Sequence, residues 1–585
     1  MKHWISTMFG FLHLLFCNAP AVCDSLPVFA RPEEAEKWAD QQLSVMSLEK
    51  KVAQLIFVDI AGGYISEQDP RLRGWVRLVR EGVGGMVTYG GTPRDVASLL
   101  NRLQKEAPLP LLMAADFEGG PGQQVSGATE FPANMAFAAI GSEELMYRAA
   151  RVGSREGRAM GFHLTYSPVV DLSTMPENPA ESVRSFGGDV GLLGRLVKAY
   201  IKGYLDGGML ATAKHYPGRG NVSPWPKQPL FTMIDKSAAE MESEDLAAFR
   251  KAIEAGVPLI MTEHISVPAL TNGSDLPASV ERSLATGWLR ERLGFRGILT
   301  TDDLWYEQVI NRFGPLQVGV KALQAGHDLL LKPKDASAMI RGVTEAVRAG
   351  QVDEAHVNQA VRKLLTWKAR LRLPSDRFVD ESSIDATVGT KEHWNLAQEV
   401  ADRSLTLLKD DGVLPISTMM LANAVNINIQ KLESDPSPQL LSAKLRSAFP
   451  SIRDFTLRPD LDPVAYERVL AAAKTADWVI LSLFVQRDRL GDAAPLRARD
   501  LSLIGQILEA KPKRVIAMSY GNPHLIRKMS AVPAFLVGYG ERGWFGNQSI
   551  YFDSFIKWAK GEIKAEGRLP VHVSDEYRMG SGIRR

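Results

Sequence analysis

Cysteine is almost missing from this chain of 585 residues. The only two, Cys17 and Cys23, lie at the extreme N-terminus. That excludes a disulfide framework, and it excludes a Cys-based metal site in the body. An excess of one charge is missing too. Lys plus Arg is 69 and Asp plus Glu is 67, a formal net charge of +2. So balanced a chain carries no global field for nucleic acid. There is no low-complexity tract and no internal repeat. With 45% hydrophobic and 23% charged residues the composition is that of a folded soluble protein, neither disordered nor multi-spanning.

The first charged stretch is also thin. After Lys2 no Lys, Arg, Asp or Glu occurs until Asp24. Between them run WISTMFGFLHLLF and then NAPAVCDS. A basic start, an apolar centre and a small-residue exit read as a secretory signal, assigned to residues 1–23. Ala19 and Ala21 suit a cut after Ala21, and a cut after Cys23 also fits. An uncleaved N-terminal anchor is the alternative. The body is expected to be exported, to the periplasm or beyond, with no membrane span after processing.

Short apolar runs that end in polar residues recur eight times. They are VAQLIFVD (52–59), GGMVTYG (84–90), LLMAADFEGG (111–120), LTYSPVVDL (164–172), MLATAKHYPG (209–218), LIMTEHIS (259–266), GILTTDDLW (297–305) and HDLLLKP (327–333). Amphipathic helices fit the intervening segments 93–106, 143–160, 190–207, 236–255 and 336–349. Apolar strands alternating with helices imply a parallel sheet covered on both faces. The expected fold class is α/β, with an N-terminal (β/α)₈ barrel over 24–372. The polar residues at nearly every strand's C-terminal end favour the barrel over an open sheet. Barrel sites form at that face, where Asp59, Tyr89, Asp116, Asp171, Lys214, His215, Glu263, His264, Asp302, Asp303 and Lys332 fall.

A linker is expected over 373–399, after a helix at 353–371 and leading into another at 391–408. Beyond it, WVILSLFV (478–485), RVIAMSYG (514–521) and AFLVGYG (534–540) read as strands of a smaller α/β sandwich over 400–585. That region has no G-x-G-x-x-G turn, which argues against a nucleotide- or flavin-binding domain.

Five motifs then carry a resemblance. ADFEGG (115–120), SFGGD (185–189), KHYPGRG (214–220), MTEHISVPAL (261–270) and GFRGILTTDDL (294–304) resemble, in order, those of glycoside hydrolase family 3. SLTLLKDDGVLPI (404–416) and GRLPVHV (567–573) resemble its C-terminal sandwich. The barrel is most similar to bacterial β-N-acetylglucosaminidases of the family. The resemblance implies that Asp302 is the nucleophile of retaining glycoside hydrolysis. It places sugar contacts on Asp116, Arg184, Lys214 and His215, with His264 close by. Carboxylates accept from sugar hydroxyls, and Lys and Arg donate to them. Asp303 is expected to point away from Asp302, as neighbours on a strand do.

The chain departs from that branch at the acid. The loop after the fifth strand, GNVSPWPKQPL (220–230), has Trp225 and Lys227 where the family has an Asp–His dyad. Gln124 and Pro121 stand where arginines are usual. A second branch takes its acid from the sandwich. Here the matching loop, VQRDRLGD (485–492), offers Asp488 between Arg487 and Arg489, cations that would lower its pKa. Glu541 is a further candidate. The expectation is an exported, retaining exo-β-glycosidase acting on a β-linked glucosaminide or glucoside, with cell-wall fragments among the substrates that export suggests. It needs no metal or cofactor. The rival from another class is a carbohydrate-binding pseudoenzyme that has lost its acid.

Overall fold

The computed structural model describes residues 29–175, 181–220, 232–416, 421, 423–485, 494–540 and 549–585. Its N-terminal part is an eight-stranded parallel sheet. The strands are β1 (Ile56–Ala61), β2 (Gly85–Tyr89), β3 (Leu112–Ala115), β4 (Leu164–Thr165), β5 (Leu210–Tyr216), β6 (Leu259–Thr262), β7 (Ile298–Thr301) and β8 (Leu330–Leu331). They pair in chain order, and β8 pairs back onto β1 through Ile56–Leu330 and Phe57–Leu331. A bridge between Thr300 and Leu329 joins β7 to β8, so the sheet closes on itself. Closure aligns all eight carboxyl ends on one rim.

Local sequence explains the helices between them. Proline at the first turn and Thr92 accepting from the Asp95 N–H start Pro93–Glu106. Asp189 caps Val190–Gly207, and Gly208 ends it in the left-handed region. Ser142 caps Glu143–Ala159 and Asp335 caps Ala336–Arg348. Among the described residues no helix is long and apolar enough to cross a membrane.

Three expected strands are corrected. The run 52–59 begins as the end of a helix, Leu48–Gln54, capped by Ser47. A short apolar run does not by itself separate helix from strand. The run 164–172 is a regular strand only over Leu164–Thr165, and beyond it contact with β5 resumes as a single bridge between Val169 and Lys214. The run 259–266 breaks after Thr262, and Ile265–Ser266 pairs instead with Thr232–Met233.

A separate six-stranded sheet follows. It holds β9 (Thr406–Asp410), β10 (Ala424–Gln430), β11 (Arg453–Leu457), β12 (Trp478–Phe484), β13 (Val515–Ser519) and β14 (Ala534–Val537), in spatial order β9-β14-β13-β12-β10-β11. Only β9 runs antiparallel, against β14. The sequence pattern had shown three of the six. The helix expected over 391–408 stops at Ser404, and its last residues belong to β9. The missed β10 carries Asn426, Asn428 and Gln430, all fully buried. They look like surface residues in sequence. In the fold Asn426 donates to Asn428 and Asp454, and accepts from Ser482, so the polarity of these two asparagines is taken up inside the sheet.

The two parts meet near the barrel mouth. Ala133 N–H donates to Tyr539 O at 3.1 Å, Arg568 N–H to Ala139 O at 2.9 Å, and Gly188 N–H to Pro570 O at 3.1 Å. The connecting segment is docked as well. Glu156, buried in the barrel helix 143–159, accepts from Gly389 N–H and pairs with His393 Nδ1 at 2.6 Å.

Candidate active site

Asp302 is the first residue after β7. Its N–H donates to Thr262 O at 2.8 Å, which ties it to the end of β6. The Asp303 N–H donates to Asp302 Oδ1 at 2.7 Å. Asp302 keeps 8% of its surface accessible, so it is recessed but not sealed. Burial alone would raise its pKa. The electrostatic pull of His215, His264 and Arg219, with the Asp303 N–H, outweighs this and holds it below the ordinary carboxylate value.

Asp303 turns the other way, as strand alternation requires. Its Oδ2 accepts from Lys332 Nζ at 2.8 Å and from the Trp305 indole N–H at 3.1 Å. Burial and the adjacent Asp302 charge push its pKa up to about 7, against the pull of Lys332. The Trp305 ring is 46% exposed and leans on Tyr306, with centroids 4.9 Å apart.

The ends of β3 and β5 and the loop after β4 supply a belt of alternating charge. Tyr89 donates to Asp116 Oδ2 at 3.3 Å. Lys214 Nζ lies 2.7 Å from Asp116 Oδ1 and 2.9 Å from Glu118 Oε1. Arg184 grips Glu118 with two bonds, Nη2 to Oε1 at 2.7 Å and Nε to Oε2 at 2.8 Å, and also pairs with Glu181. Arg219 continues the belt, Nε to Glu181 Oε1 at 3.1 Å and Nη1 to Glu263 Oε2 at 2.8 Å. Burial penalises the Glu118 charge, but Arg184 and Lys214 hold its pKa well below the usual range. Such a belt fixes long side chains in one geometry before any ligand arrives.

His215 is held by Asp171, which accepts from its N–H at 3.1 Å and pairs with Nδ1 at 2.7 Å. Asp171 also accepts from Arg219 N–H at 2.7 Å. A ring nitrogen of His215, a carboxylate oxygen of Glu263 and one of Asp302 lie within 4.8 Å of one another. Asp171, Glu181 and His215 form a second such group. Glu181 and Glu263 pair with Arg219, so these carboxylates serve an ion-pair network in place of a cation shell.

The fold therefore brings Asp116, Arg184, Lys214, His215 and Asp302 to one rim. His264 comes there too. Its Nδ1 is paired with Ser279 Oγ at 2.8 Å and its Nε2 with Asp303 O at 3.0 Å. Both ring nitrogens are engaged within the protein, and the side chain braces the loop that carries Asp303. Asp488, Glu541, Trp225 and Lys227 lie outside the described residues. Glu118, Glu181 and Arg219 were missed in sequence. Glu118 and Arg219 sit inside motifs already quoted, two residues after Asp116 and four after His215. Glu181 stands four residues ahead of SFGGD and carries no sequence signal of its own.

A family profile described as "Glycosyl hydrolase family 3 N terminal domain" matches residues 47–367. A "Beta-N-acetylglucosaminidase/beta-glucosidase" of Cellulomonas fimi is 31% identical over 398 residues, 66% of this chain and 69% of that one. "Beta-hexosaminidase A" of Pseudoalteromonas piscicida is 28% identical over 371 residues, 58% of this chain and 61% of that one. The solved structure of a glycoside hydrolase family 3 β-N-acetylglucosaminidase from Paenibacillus sp. str. FPU-7 superposes with a TM-score of 0.79 at 27% identity. The match covers 91% of this chain and 99% of that one.

Proposed function

Since the chain belongs to glycosyl hydrolase family 3 and is a glycoside hydrolase, we propose that it is a retaining exo-β-glycosidase whose nucleophile is Asp302. The observation that carries this is the state of Asp302. It is a recessed carboxylate beside the charged rim, kept ionised by His215, His264 and Arg219. An ionised carboxylate is the form that attacks C1. The C1–Oδ bond forms as the C1–O bond of the leaving group breaks, and water later cleaves the ester.

Asp116, Arg184, Lys214 and His215 hold the terminal sugar. The belt's Lys214 and Arg184 donate to ring hydroxyls, and Asp116 accepts from them. The substrate is a β-linked N-acetylglucosaminide or glucoside, the two specificities in the name of the Cellulomonas fimi relative. Export is part of the reading and rests on the apolar, uncharged run between Lys2 and Asp24. Cell-wall fragments suit such a location as substrates.

A positioned acid contributes about 10²–10⁴-fold, so aryl glycosides, which leave without help, are the substrates of choice for a test. The full chain is expected to hydrolyse 4-nitrophenyl β-N-acetylglucosaminide or β-glucoside. Asp302→Asn should remove about 10³-fold or more of kcat with the fold intact. Sugar binding without turnover on either substrate would refute the glycosidase and favour the binding protein, the reading that Trp225 and Lys227 in the acid loop keep open.

A further inference from the structure

Glu263 is a strand-end carboxylate that the reaction above leaves unused. It follows β6, the strand that pairs with the one carrying Asp302. It is buried, at 5% exposure. One of its oxygens lies within 4.8 Å of an Asp302 oxygen and of a His215 ring nitrogen. Retaining glycosidases space their two carboxyls about 5–5.5 Å apart, and inverting ones about 6.5–9.5 Å apart. The nearest oxygens of Asp302 and Glu263 approach more closely than either spacing, so Glu263 stands beside the nucleophile with no room for the wider inverting arrangement.

The surroundings of Glu263 specify which half of the chemistry it suits. Oε2 accepts from Arg219 Nη1 at 2.8 Å, and Oε1 accepts from the His264 N–H at 2.8 Å. Each oxygen keeps a lone pair beyond these contacts, so the side chain can accept a proton from water.

We propose that Glu263 is the general base of the second displacement. The inference rests on Asp302 as nucleophile. In the first step the electron pair of the scissile C1–O bond leaves with the aryloxide, while Asp302 Oδ bonds to C1. In the second, a water oxygen bonds to C1 as the C1–Oδ bond breaks, and that electron pair returns to Asp302. The water's proton passes to Glu263 and from there to solvent. Arg219 holds Glu263 in place, and His264 fixes the other oxygen through its backbone.

The test uses the full chain and a 2,4-dinitrophenyl β-glycoside, whose leaving group needs no acid and whose hydrolysis therefore waits on the second step. Glu263→Gln and Glu263→Ala should each lose about 10²–10⁴-fold in kcat. KM should fall along with kcat, and a burst of dinitrophenolate should appear as the glycosyl-enzyme accumulates. Azide should restore turnover of Glu263→Ala and give the β-glycosyl azide. Glu263→Gln keeps the shape and a hydrogen bond to Arg219, so its unchanged melting temperature separates lost chemistry from lost fold. An active wild type with Glu263→Gln within threefold of it, or Glu263→Ala that azide fails to rescue, overturns the role of Glu263 alone. Full activity in Asp302→Asn overturns the nucleophile, and the base with it.

Discussion

At the scale of single residues the site turns on competition between burial and neighbouring charge. Asp302 and Asp303 are adjacent and both buried, yet they shift in opposite directions. The difference is the company each keeps. Asp302 faces His215, His264 and Arg219, whereas Asp303 faces Lys332 and the Asp302 charge. A pKa held low means Asp302 stays ionised down to acidic pH and loses activity only as pH falls through its own value. Arg219→Met removes one of the stabilising cations. The acid limb of kcat/KM is therefore expected to move to higher pH, and a pH–rate profile on an aryl glycoside reads it. A limb that stays put would show that Arg219 does not act on the nucleophile.

The motifs exposed the strand-end residues because each one ends an apolar run. They did not expose the ion pairs between strands. Lys214 meets Glu118, and Arg219 meets Glu263, only because β3, β5 and β6 share one rim. Sequence spacing is silent on such pairs. It is equally silent on His264, whose two ring nitrogens are taken by Ser279 and the Asp303 carbonyl.

At the scale of elements the second domain reaches the site through a loop. Arg184 immediately precedes the SFGGD segment. Ser185 Oγ donates to Asp171 O at 2.6 Å, and Asp171 holds His215. The same loop is clamped from outside, where Gly188 N–H donates to Pro570 O. Gly187 has φ +106°, and a Cβ there would lie 2.3 Å from Pro570 O. Gly187→Ala therefore has to push the loop off the C-terminal segment. It should cost about 1–3 kcal/mol of stability and lower kcat/KM on every substrate. Gly350→Ala is the control, since its φ is +70° but nothing lies within 4 Å of its Cβ. It should cost about 1 kcal/mol and leave kcat/KM alone. Thermal melts and aryl-glycoside kinetics on the two variants check this, and equal kinetic losses would remove the clamp from the account.

Elements also differed in how well they could be read. The helices 93–106 and 190–207 were legible to the residue, because caps and apolar period agree there. The strands β10 and β11 were not. Asn426 and Asn428 are buried polar residues that pair with Asp454, Ser482 and Thr456, and local pattern assigns such residues to the surface. Tertiary satisfaction of their hydrogen bonds is what a linear reading lacks.

At the scale of the whole molecule, a charge balance of 69 against 67 is spent locally. Much of the charge at the barrel rim is paired within the belt. The global field is weak while the site is strongly polar, which suits a neutral sugar rich in hydroxyls better than a polyanion. In the proposed reading the architecture divides the labour: the barrel supplies nucleophile, base and sugar contacts, and the second domain braces the loop that follows Arg184. The most direct test of this account is covalent trapping. The full chain is incubated with a 5-fluoro-β-glycosyl fluoride of N-acetylglucosamine or of glucose, whichever sugar it hydrolyses, then digested and analysed by mass spectrometry. One fluorosugar ester on the peptide containing Asp302 is the predicted result; a label on any other carboxylate of an enzyme that turns over the matching aryl glycoside would contradict it.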